Sequence, residues 1–255
     1  MYEAGSLIRS LTGRPAARNY HAYVINEIGL GIVSGAHAVG SLLASDAAMM
    51  EQYGVSRTVL REAIRTLEAK GLVEARPKVG TRVTPKSRWN FLDPQVLAWH
   101  FHAPPDPQFY HSLFRVRGAF ETPLAELAAR HRTAEHVRLM KFWLHQMATS
   151  GDSVQQAGLG ALEVHSIIAE SAGDVLLRAV VGVTELTLAL ALTRESALAG
   201  AEYRRQSLEF REKLVTHIEF GRADEAVRLI ESCRQLDRAQ VLGREAAVKP
   251  AGSVR

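Results

Sequence analysis

Residues 53–73, Tyr-Gly-Val-Ser-Arg-Thr-Val-Leu-Arg-Glu-Ala-Ile-Arg-Thr-Leu-Glu-Ala-Lys-Gly-Leu-Val, constrain the fold of this chain more than any other stretch. Gly54 suits a tight turn, and Ser56 is a good N-cap for a helix beginning at Arg57. Leu60, Ala63, Ile64 and Leu67 recur at i, i+3, i+4 and i+7, which buries one helical face. Arg57, Arg61 and Arg65 form a row on another side, joined near the start by Thr58. Gly71 ends the helix where a left-handed residue is wanted. The segment reads as the turn and second helix of a helix-turn-helix, whose first turns can reach base edges and phosphates in a major groove. A solvated helix with a basic face would carry the same arginine row, so the surroundings decide between the two.

Those surroundings favour DNA. A helix is expected over 19–33 and a short one over 45–52, with Ser45 or Asp46 as its cap. Two β-prone runs flank Pro77-Lys78-Val79-Gly80-Thr81 and predict a hairpin. A helix-turn-helix followed by a hairpin is a winged helix, here over 19–85, with Lys78 and Gly80 placed to touch an adjacent backbone or minor groove. Residues 1–90 hold 12 Lys and Arg against 7 Asp and Glu, while the remainder is near balance. The basic excess thus lies with the helix-turn-helix, as phosphate contact requires.

Residues 1–18 read as a flexible arm. Residues 86–107, rich in proline and aromatic rings, read as a connector that packs by those rings. From 108 to 245 the helical period is nearly continuous, with helices near 108–131, 134–149, 154–171, 174–197, 202–220 and 223–244. The tail, 246–255, has no pattern and is expected to be disordered. The predicted fold is therefore mostly α: an N-terminal winged helix-turn-helix with a small β-hairpin wing, then an all-α bundle. No apolar run is read as a membrane span, and the single Cys233 fits a reducing cytoplasm. Ten histidines supply candidates for catalysis, yet none sits in a Gly-rich phosphate loop, nucleophile elbow or HExxH motif, so no enzymatic activity is expected.

The winged-helix residues, together with Val79-Gly-Thr-Arg-Val83, resemble those of GntR-family transcription regulators. The helical remainder resembles the effector-binding domain of the FadR subfamily, with Val116-Arg-Gly-Ala-Phe-Glu121 similar to its opening helix. Trp89-Asn-Phe-Leu-Asp93 and Val96-Leu-Ala-Trp99 resemble regulators of galactonate and related sugar-acid catabolism. The resemblance implies operator contacts from Arg57, Thr58 and Arg61, with Gly80 at the wing tip; Ser56, Arg65 and Lys78 complete the candidate set. Val39 and Ala44 replace prolines often found in the family, and Ala47 replaces an arginine that some members carry. A homodimer on double-stranded DNA is implied, since one helix reads only a few base pairs.

Many such domains hold a divalent metal on one aspartate and three histidines. The matching positions here are Ala161, His165, Arg211 and Cys233, a degenerate set in which one ligand survives, so no metal cofactor is expected. Arg117, His165 and Arg211 nonetheless lie on apolar helical stripes, and a buried charge needs a partner. One reading makes them an effector site in which two arginines clamp a small carboxylate, as bidentate guanidinium geometry allows. The other pairs Arg117 with Glu121 and Arg211 with a carboxylate of a neighbouring helix, leaving His165 a satisfied core residue. Sugar acid is the expected effector class, with fatty-acyl or amino-acid ligands as the alternative.

Overall fold

The computed structural model describes residues 6–10, 20–193 and 200–243. Its elements run α1 (Ser6–Ser10), α2 (Tyr20–Val33), α3 (Asp46–Tyr53), α4 (Arg57–Ala69), β1 (Val73–Arg76), β2 (Gly80–Val83) and α5 (Pro94–His102). They continue with α6 (Pro107–His131), α7 (Ala134–Ala148), α8 (Val154–Ser171), α9 (Val175–Arg178), α10 (Val181–Thr193), α11 (Gly200–Glu219) and α12 (Ala223–Leu242). Two compact units result, one spanning Gly13–Pro105 and the other Met1–Thr12 with Asp106–Arg255.

The first unit is a winged helix. Ser45 caps α3 by accepting from the Ala48 amide (3.3 Å), and Gly54 ends it at φ 63°, a left-handed geometry that a side chain would disfavour. Ser56 then caps α4 by accepting from the Val59 amide. Leu60, Ala63, Ile64 and Leu67 are buried, as their spacing predicts, and meet Ile28, Ile32, Leu72 and Val83 in one core. The wing is an antiparallel hairpin with Val73 opposite Val83 and Arg76 opposite Gly80.

Residues 86–105, expected as part of a connector, belong to this unit instead. Trp89 and Trp99 are both buried in the winged-helix core. The Trp89 indole donates to the Thr84 carbonyl (3.2 Å) and that of Trp99 to the Asn26 side chain (3.0 Å), so neither buried N–H is left unpaired. A Cβ at Gly29 would lie 2.4 Å from the Trp99 ring, so only glycine admits the indole against α2. The Lys70 ammonium and Asp93 carboxylate close the join at 2.7 Å.

The second unit is all helical. Asp106 caps α6 through the Phe109 amide, and Pro107 takes the first turn, where its missing N–H costs nothing. Helix α6 packs along α12, α7 along α8, and α11 along α12. Every residue of α10 from Val183 to Ala191 is buried. The stretch Val175–Thr193 is long and apolar enough by composition to span a membrane, with mean hydropathy 2.0, which corrects the expectation that no run qualifies. It is divided by a turn at Ala179 and Val180, where the single helix expected over 174–197 becomes α9 and α10. Val175 and Leu176 stay exposed, whereas Val180 turns inward.

The expected flexible arm, 1–18, is also corrected over part of its length. Helix α1 buries Leu7 and Ile8, and their amides donate to the buried Glu185 carboxylate at 2.8 and 3.3 Å. Apolar burial of two side chains and charge-assisted amide bonds outweigh the entropy that favours a loose arm. The rest of the arm and the tail 246–255 lie outside the described residues.

Candidate nucleic-acid interface and buried charge cluster

The winged helix places all seven candidate DNA-contacting residues, Ser56, Arg57, Thr58, Arg61, Arg65, Lys78 and Gly80, on its exposed surface. Arg57 and Arg61 have no carboxylate within 4.0 Å among the described residues. Arg65 differs, because Glu62 one turn earlier holds its guanidinium at 2.7 Å. An open groove of about 660 Å³ separates α4 from the wing and is lined by Arg61, Arg65, Arg76, Lys78 and Gly80 among others. Lys78 sits at φ 64°, a conformation costing an L residue roughly 1–2 kcal/mol, and Gly80 at φ 107°. The turn thereby holds the Lys78 backbone in one geometry beside the groove. Arg82 is spent inside the unit, its guanidinium donating to the Gly40 carbonyl. Arg76 escaped the sequence reading. It ends β1 at the groove with its guanidinium 3.1 Å from Glu74, and only the hairpin register reveals its side of the wing.

The helical unit brings Arg117, His165 and Arg211 together around buried carboxylates. Arg117 donates to Glu121 and to Asp237, each at 2.6 Å, and to the Thr187 hydroxyl at 3.1 Å. Arg211 donates to the Ser207 carbonyl (3.0 Å) and to its hydroxyl, and lies 3.6 Å from Asp237 and 3.5 Å from His165 Nε2. His165 Nδ1 is 3.3 Å from Glu121, and the Tyr203 hydroxyl donates to Asp237 at 2.6 Å. The two arginines thus have the partners that the plainer sequence reading gave them. Asp237 and Tyr203 were missed, although the i+4 step from Cys233 and the i, i+4, i+8 run Tyr203, Ser207, Arg211 carried the signal.

Burial sets the electrostatics. It opposes the Arg117 charge, but Glu121 and Asp237 outweigh it and raise the pKa above the ordinary value. Burial, reinforced by Arg211 and Arg117, holds the His165 imidazole well below 6.5 and therefore neutral. Burial raises the Glu121 carboxyl against the pull of Arg117. Arg117 Nη2, Glu121 Oε2, Arg211 Nε and Arg234 Nη1 are buried with no hydrogen-bond partner among the described residues, although Arg234 Nη1 approaches Glu121 to 3.8 Å. A cavity of about 10 Å³ touches Arg117, Glu121, His165 and Thr184, and another of about 20 Å³ touches Ala161, Tyr203 and Ser207. Each has room for about one water, so the cluster is closed to a larger molecule in this conformation.

The four positions of the family's metal site do not fit a divalent ion. Ala161 offers no donor, and the Arg211 guanidinium stands against the surviving imidazole. Burial pushes the Cys233 thiol up to about 11, which keeps it protonated.

Two sequence families meet in this chain. Residues 23–83 match the gntR family of bacterial regulatory proteins, and residues 112–235 match the FCD domain. The chain belongs to the GntR family, in the FadR-type branch that carries an FCD domain behind a winged helix-turn-helix. It is 38% identical over 134 residues to the uncharacterized HTH-type transcriptional regulator YieP of Escherichia coli K12, a match covering 52% of this chain and 58% of YieP. It is 28% identical over 155 residues to the galactonate operon transcriptional repressor of the same organism, covering 61% and 68% of the two chains. The matches thus span about three-fifths to two-thirds of those relatives. Among solved structures, Lar, which controls the expression of the Listeria monocytogenes agr system, shares the fold with a TM-score of 0.65 at 15% identity, over 92% of this chain and all of that one.

Proposed function

We propose that this chain is a cytoplasmic transcription repressor that binds operator DNA as a homodimer and changes its affinity on binding a small carboxylate, with sugar acids such as galactonate as the favoured class. The family and its relatives are regulators, not enzymes. The observation that carries the DNA reading is α4 itself, with one face in the core and Arg57, Thr58 and Arg61 exposed near its capped N-terminus. Two half-sites supply the specificity that one helix lacks. The effector reading rests on two guanidiniums converging on one buried carboxylate, a geometry suited to acids, and on the relative named for the galactonate operon. Arg211 stands for the charge that a metal supplies elsewhere in the family, so no metal cofactor takes part. Effector control requires that the acid bind the operator-competent and operator-free arrangements with different affinity.

The test is fluorescence anisotropy of the purified protein on its own upstream DNA at fixed salt, titrated with a panel of six-carbon sugar acids. Release by one of them supports both halves of the proposal. Tight, salt-sensitive binding without response overturns the sugar-acid half and transfers the site to fatty-acyl or amino-acid ligands.

A further inference from the structure

Asp237 is fully buried on α12, yet it neutralises no residue of its own helix. Its carboxylate lies between two arginines from different helices, 2.6 Å from Arg117 Nη1 on α6 and 3.6 Å from Arg211 Nη2 on α11. Tyr203 on α11 completes the set by donating to the other oxygen. Two guanidiniums and a phenol around one carboxylate are the contacts that a hydroxy-acid would need. The two small cavities flank this point, one beside Arg117 and His165 and one beside Tyr203 and Ser207. Arg117 Nη2 and Arg211 Nε have no hydrogen-bond partner among the described residues, so each arginine keeps donor capacity to spare.

We propose that Asp237 is a built-in stand-in for the effector's carboxylate, and that an α-hydroxy-carboxylate binds by displacing it from Arg117 and Arg211. This rests on the carboxylate-effector reading above and adds a mechanism to it. Asp237 is fully buried among packed helices, so a rotamer change that freed its carboxylate from both arginines would drive it into occupied space. Displacement therefore moves α12 relative to α6 and α11, and ligand entry becomes helix movement. The ligand's hydroxyl takes the His165 imidazole, neutral and able to accept, while its carboxylate inherits both guanidiniums. The closed cluster is then the effector-free arrangement, and the size of its cavities says nothing against a larger ligand.

The experiment uses the full chain with Asp237→Ala and measures the melting temperature in acetate against chloride at equal ionic strength. The alanine variant leaves a carboxylate-sized hole between two arginines, so acetate is expected to raise its melting temperature saturably and to leave the parent protein unchanged. Asp237→Asn keeps the volume without the charge, and an acid that releases the parent from DNA is expected to bind this variant about ten-fold more tightly, since no internal anion competes. No acetate effect on Asp237→Ala, together with unchanged or weaker acid binding by Asp237→Asn, overturns the proposal. Should Asp237→Ala fail to fold even in acetate, the affinity of Asp237→Asn decides alone. Acetate rescue without any acid releasing the parent from DNA would keep the Asp237 subsite and end the effector reading. Release of the parent by an acid without rescue and without tighter binding would do the reverse.

Discussion

The arginines of the two units make opposite use of one side chain. Arg57 and Arg61 stand in solvent with no carboxylate within 4.0 Å among the described residues, ready to exchange water and counterions for phosphate. Arg117 and Arg211 are withdrawn from water entirely and held by Glu121, Asp237 and Ser207. An exposed charge without a partner is inexpensive and available to a ligand. A buried one must be answered inside the protein, and its partners form part of the fold. Helical periodicity separates the two classes, because Arg57 and Arg61 fall on the polar side of their helix while Arg117 and Arg211 interrupt apolar stripes.

The comparison breaks most directly at Arg117. Arg117→Ala leaves Glu121 and Asp237 buried without their nearest cation, and is expected to cost about 3–5 kcal/mol in chemical denaturation of the full chain. A loss below 1 kcal/mol would mean that the cluster is not a unit. Arg61→Ala should leave stability within about 0.5 kcal/mol. It should weaken operator binding by about 1–3 kcal/mol, roughly 5- to 150-fold, in an anisotropy titration. Unchanged affinity there would remove α4 from the interface.

A third effect follows from pH. His165 is held below 6.5, so as pH falls beneath that value the unfolded chain takes up a proton that the folded one refuses. Stability is therefore lost on acidification from pH 6.5, with a slope of up to about 1.4 kcal/mol per pH unit from this group. Glu121, raised by burial, acts in the opposite sense nearer its ordinary 4.5 and partly offsets the loss at lower pH. His165→Gln should flatten the decline between pH 6.5 and 5 in denaturation midpoints; a decline as steep as the parent's would place its origin elsewhere. The smallest effect sharpens the contrast within α4. Glu62 already neutralises Arg65, so Glu62→Gln should tighten operator binding by about three-fold at most, and the gain should vanish at high salt.

Much of this architecture was legible because burial has a period. The Leu60, Ala63, Ile64 and Leu67 stripe, the Ser56 cap and the Gly54 turn are local signals, and each holds in the structure. Helices α6, α7, α8, α11 and α12 begin and end within two residues of the expected limits, where Asp, Ser, Thr and Gly punctuate the chain. What escaped depends on partners distant in sequence. Trp89 and Trp99 look like connector residues until Thr84, Asn26 and Gly29 receive them. Leu7 and Ile8 are too short an apolar run to announce a helix, and their partner Glu185 sits in a nearly uniform apolar stretch. Arg117, His165 and Arg211 were visible as polar interruptions. Asp237 was not singled out, since the polar residues around it on α12 make it look like one more solvent-facing charge.

The bond between the Leu7 amide and Glu185 spans 178 positions of sequence. At a synthesis rate of roughly 5–20 residues per second, Leu7 is incorporated about 9 to 36 seconds before its acceptor. In that interval the whole winged-helix segment is made between them. Leu7 and Ile8, made well before Glu185, are therefore seated only after it, and the helical unit is completed when they return to it.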